Sequence, residues 1–118
     1  MRSALALSTV LLASPALAGG ADVIAASADP VADGFRVSAT IRHADEGWDH
    51  YADAFEVLGP DGTVLATRTL HHPHVEEQPF TRSVTVVVPE GIATLTVRAR
   101  DSVHGLGGTE VTVALPSR

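Results

Sequence analysis

Phe35-Arg36-Val37-Ser38-Ala39-Thr40-Ile41-Arg42 alternates apolar and polar residues without a break. A period of two puts Phe35, Val37, Ala39 and Ile41 on one face of a strand and Arg36, Ser38, Thr40 and Arg42 on the other. The segment therefore reads as a half-buried β-strand. Similar runs occupy Val23 to Ala28, Ala52 to Leu58, Thr63 to Leu70, Phe80 to Val88, Ala93 to Arg100 and Thr109 to Leu115, which makes seven predicted strands. Turn formers separate them: Asp29-Pro30 with Asp33-Gly34, Gly59-Pro60-Asp61-Gly62, and Pro89-Glu90-Gly91. Beyond the N-terminus no stretch repeats its apolar residues at helical spacing. The pattern predicts an all-β domain, a single antiparallel β-sandwich of the immunoglobulin or fibronectin type III kind.

The N-terminus reads differently. Met1-Arg2 is followed by an apolar run from Ala4 to Ala13 and by Pro15-Ala16-Leu17-Ala18, a small-x-small ending of the type signal peptidase cleaves. Residues 1–18 are expected to be a signal peptide and 19–118 the sandwich domain. That run is too short to span a bilayer, and no later stretch approaches the roughly 20 apolar residues a membrane helix needs. An exported home, periplasmic or secreted, follows. The chain has no cysteine, so neither a disulfide nor a lipidated cysteine is available and the core must hold the domain. Without Arg2, seven arginines and no lysine stand against fourteen acids. Nucleic acid and anionic membranes are poor partners for such a surface.

All six histidines lie in three segments: His43 and His50; His71, His72 and His74; and His104. If successive strands run antiparallel, the loops alternate between the two ends of the sandwich. The three turns named above then fall at one end and carry no histidine. The three histidine segments share the other end, with Trp48, Tyr51, Phe80 and the acidic residues Asp45, Glu46, Asp49, Glu76, Glu77 and Asp101. Neutral imidazoles without thiolates suit copper(II) or zinc. His43, His50, His72, His74 and His104 are the candidate ligands. His72-Pro73-His74 is the sharpest local motif, because proline holds the residue before it extended and lets two imidazoles point to similar sides. His43 continues the inward parity of Ile41. The acidic residues other than Asp101 are expected to form a solvated rim.

Three charges break the strand pattern. Arg82 shares the parity of Phe80 and Val84, Asp53 that of Phe55 and Val57, and Asp101 that of Val97 and Ala99. A charge pointing inward is costly unless paired. An arginine–carboxylate pair beneath the histidines, orienting them, is the expected arrangement. The rival reading of the same pole is a docking surface for another exported protein, anchored by Trp48, Tyr51 and Phe80 within the acidic rim. An enzymatic role ranks below both, since Ser102, Asp101 and His104 are too close in sequence for a nucleophilic relay.

The segments from His43 to Asp53, from His72 to Ser83 and from Asp101 to Gly105 resemble those of small exported bacterial proteins of unassigned function, with an immunoglobulin-like sandwich and a His-Pro-His segment. That resemblance spans most of the mature chain. It implies a periplasmic place and brings no activity or ligand with it.

Overall fold

The computed structural model describes residues 20–117; the expected signal peptide and its cleavage point lie outside them. Eight strands and no helix are found among the described residues. β1 (Asp22–Val31), β2 (Gly34–Arg42) and β5 (Phe80–Val86) form one antiparallel sheet in the order β1-β2-β5. The second sheet holds β3 (Ala52–Leu58), β4 (Val64–Thr69), β6 (Thr94–Asp101), β7 (Gly105–Leu106) and β8 (Val111–Ala114). Its order is β4-β3-β6, with the short β7 and then β8 pairing along the other edge of β6. The predicted strands recur with no boundary moved by more than three residues, and β7 is an addition.

The alternation in β2 is borne out: Phe35, Val37, Ala39 and Ile41 are buried. They belong to one apolar cluster with Phe55, Val57, Leu95, Val97 and Ala99 of the other sheet, so the two sheets face each other as in a sandwich. Each such valine, leucine, isoleucine or phenylalanine contributes about 1.5–3 kcal/mol by leaving water. In a chain without cysteine this layer is the main source of stability. Arg68 ties the sheets at one side, its guanidinium donating to the Ser83 carbonyl at 2.6 Å.

Two local expectations are corrected. Asp29-Pro30 is strand and not turn: β1 continues through Pro30, paired with Phe35, to Val31, and Ala32-Asp33 make the turn. Proline is tolerated there because β1 lies at the edge of its sheet, where a missing N–H leaves no neighbouring strand unpaired. In β3 a register shift between Ala52 and Ala54 changes the parity of the strand's first residues. Ala52 therefore turns into the core and Asp53 does not; its Oδ1 meets Arg100 Nε at 3.2 Å on the outer surface. A bulge leaves one residue unopposed, and that extra residue reverses every side chain before it.

Gly108 fixes the start of the fold. A Cβ there would collide with the Ala21 carbonyl oxygen and crowd Asp22 Oδ1, which itself accepts the Thr109 N–H at 2.8 Å. Gly108→Ala is expected to cost about 1–3 kcal/mol, as overpacking does in tight sites. A chemical denaturation midpoint equal to that of the wild type would show that the backbone gives way freely.

Candidate metal centre

The three histidine-bearing connections meet at one pole. The β2–β3 connection folds back on itself, with the Glu46 N–H donating to the His50 carbonyl at 2.8 Å and the His50 N–H to the Gly47 carbonyl at 3.2 Å. Gly47 has φ +93°, a conformation that a side chain would strain. This turn lays the His50 ring across that of His43, with centroids 4.8 Å apart. The β6–β7 turn adjoins it through the Ser102 N–H, which donates to the Tyr51 carbonyl at 2.9 Å.

Asp101, the last residue of β6, is wholly buried at the centre. Its Oδ2 faces three imidazole nitrogens: His104 Nδ1 at 3.1 Å, His43 Nε2 at 3.2 Å and His50 Nε2 at 3.3 Å. Its Oδ1 accepts the Val103 N–H at 2.9 Å and also the His104 N–H. Burial works against the charged carboxylate, but hydrogen bonds from the His104 N–H, the His104 ring, the Val103 N–H and His50 outweigh it. The Asp101 carboxyl is held well below the usual carboxylate range.

The far nitrogens of two rings are also held by carboxylates. His43 Nδ1 lies 2.6 Å from Asp45 Oδ1, and His50 Nδ1 lies 3.1 Å from Glu46 Oε1. A neutral imidazole has one N–H to donate. With Nδ1–H directed at Asp45 or Glu46, the Nε2 lone pair confronts the Asp101 carboxylate. Only a positive charge between them, a proton or a metal ion, turns that contact from repulsive to attractive. One ring nitrogen each of His43 and His50 and a carboxylate oxygen of Asp101 all lie within 4.8 Å of one another. Tetrahedral zinc with bonds of about 2.0–2.1 Å needs donors about 3.3–3.4 Å apart, and both imidazole-to-carboxylate separations match this. Exposure is graded across the group, the side chains of His43, His50 and His104 being 1%, 16% and 41% accessible. An ion would enter past His104.

His72 and His74 are not brought to this group. Their rings approach each other, with centroids 4.7 Å apart, on the flank formed by β5. His74 is buried, stacked on Phe80 at 3.9 Å and 11°, and its Nε2 accepts from the Arg82 guanidinium at 3.1 Å. Burial first, and then the Arg82 and His72 charges, lower its pKa. His72 is exposed, its Nδ1 3.1 Å from the Pro73 carbonyl oxygen. Arg82 pairs with Glu77 at 3.3 Å and not with Asp53 or Asp101 as expected, because it reaches outward along the edge strand β5. Phe80 is buried opposite Ile41 and cannot anchor a partner, since the first residue of β5 already points into the core. Trp48 stands 67% exposed, edge-on to Tyr51 with centroids 5.6 Å apart.

Asp45 departs from the solvated rim expected for it: it is buried, and besides His43 it accepts the Ala52 N–H at 3.0 Å and the His74 N–H at 2.6 Å. The signal was present, because Asp45 continues the inward parity of Ile41 and His43 beyond the end of β2. Gln78 had no such signal. Its Oε1 accepts the His43 N–H at 3.0 Å and its Nε2 donates to the His74 carbonyl at 2.8 Å.

Over 76 residues, 64% of its length, the chain is 45% identical to a protein of Halomicrobium mukohataei named "Putative lipoprotein". The matched stretch spans 37% of that relative's length. No family model and no solved structure matches the chain.

Proposed function

We propose that this chain is an exported metal-binding protein that holds one zinc or copper(II) ion between His43 Nε2, His50 Nε2 and Asp101, with His104 as the outermost donor. The observation that carries the reading is the opposition of two carboxylate-backed imidazoles to a third, buried carboxylate, an arrangement that calls for positive charge at its centre. Imidazole and carboxylate donors without thiolate suit both ions. Asp45 and Glu46 act as partners on the far nitrogens, fixing the tautomer that turns the Nε2 lone pair toward the ion. The sheet order β1-β2-β5 against β4-β3-β6-β8 supports a fibronectin type III or immunoglobulin-like sandwich. An exported place, periplasmic or secreted, is supported by the N-terminal pattern and by the relative's name.

A second reading is favoured by Trp48. An indole this exposed, braced by Tyr51 beside the histidines, suits a docking surface for another exported protein. Calorimetric titration of metal-free protein separates the two. One saturable site tighter than about 10 μM, with absorption edge data showing only nitrogen and oxygen donors, is the expected result. Absence of saturable binding, together with partner capture that resists chelators and fails in Trp48→Ala, would replace metal binding by docking.

A further inference from the structure

We propose that the His-Pro-His segment positions the metal centre from behind: with Gln78 and Asp45 it locks the ring of His43, and it supplies no ligand of its own. This rests on the metal-binding reading above. Four residues close a ring of hydrogen bonds. His43 Nδ1–H donates to Asp45 Oδ1, Asp45 Oδ2 accepts the His74 N–H, the His74 carbonyl accepts from Gln78 Nε2, and Gln78 Oε1 accepts the His43 N–H. His43 is thus held at its backbone by Gln78 of the β4–β5 loop and at its far ring nitrogen by Asp45, which the same loop holds through the His74 N–H. All four bonds involve a carboxylate or backbone group in a buried or half-buried setting, where an unmade bond is costly.

The His74 side chain is committed elsewhere. Its Nε2 lone pair is used by Arg82, whose guanidinium has only donors. Its Nδ1 must then carry the proton, and that atom is buried without a hydrogen-bond partner among the described residues. Stacking on Phe80 anchors the ring to the core, and Arg82 is braced in turn by Glu77 and the Thr81 carbonyl. The loop is therefore pinned to β5 on one side and to His43 on the other. Partners on the far nitrogen of a ligating histidine commonly change metal affinity 10- to 100-fold when removed.

The test compares zinc affinity, measured by competition with a chelator, in the wild type, Gln78→Met and Val113→Ala. Gln78→Met keeps the length of the side chain and deletes two bonds of the ring. Val113→Ala loosens the core beside Leu95, at the end of β6 away from Asp101. Expected is a loss of about 10- to 100-fold in Gln78→Met and wild-type affinity in Val113→Ala. The imidazole proton of His43 in zinc-loaded protein, followed by NMR, should exchange faster in Gln78→Met alone. Arg82→Met, at a half-exposed position, frees the His74 ring from outside and should lower affinity in the same direction; it serves where Gln78→Met does not fold. Wild-type affinity in Gln78→Met, or an equal loss in Val113→Ala, overturns the positioning role and leaves the metal centre standing. A wild type that takes no zinc overturns both.

Discussion

Asp101→Asn is expected to weaken zinc binding by about 100-fold or more while leaving the domain folded. The asparagine carbonyl can take the place of Oδ1 and still accept the Val103 and His104 N–H groups, so the turn after β6 survives. The amide nitrogen then stands where Oδ2 faced three imidazoles. It presents protons to nitrogens that must offer lone pairs, and the one buried negative charge among the ligands is gone. Asp101→Ala goes further, stranding the turn N–H groups and the histidines together, and should cost about 3–5 kcal/mol of stability, as removal of one partner of a buried charged pair does. Chelator competition measures the first effect and urea denaturation the second. Zinc affinity unchanged in Asp101→Asn would remove Asp101 from the ligand set.

His50 and Asp101 together should stabilise the metal-free domain most in mild acid, between about pH 4 and pH 6.5, and zinc should move the optimum of the pair upward. His74 opposes them, since its lowered pKa removes stability as pH falls below about 6.5. Partial burial works against protonated His50, but its hydrogen bonds and charge interactions with Glu46 and Asp101 outweigh this and raise its pKa. A raised folded-state pKa contributes stability that is complete below the unfolded value of about 6.5 and is lost as pH rises through the folded value. For Asp101 the sign is opposite. Its depressed pKa contributes stability that is present above the unfolded value of about 3.9 and is lost as pH falls through the folded one. Zinc needs neutral imidazoles, so it competes with the proton that His50 otherwise keeps. The rise in melting temperature on adding zinc should therefore be larger at about pH 7.5 than at about pH 5.5. An equal rise at both values would mean that the ion binds away from the imidazoles.

The strand alternation from Phe35 to Ile41 was legible because side chains alternate across any extended backbone, whatever that backbone packs against. The same local rule placed Asp101 inward with Val97 and Ala99, and would have placed Asp45 inward had it been carried past His43. It failed for Asp53, because one bulged residue in β3 reverses parity and no residue type announces a bulge there. That histidines gathered in one set of loops could be read from the order of strands and turns. Which of them meet could not. His74 lies close along the chain to His72, yet its partners are Asp45, Phe80 and Arg82, contributed by another loop and by the flank of β5. His50 reaches Asp101 only because the turn at Gly47 folds it back over His43. Local periodicity is a property of the backbone and is written residue by residue. Convergence at the pole depends on the paths of three loops and on hydrogen bonds between residues up to 58 positions apart, which only the packed sheets bring into reach.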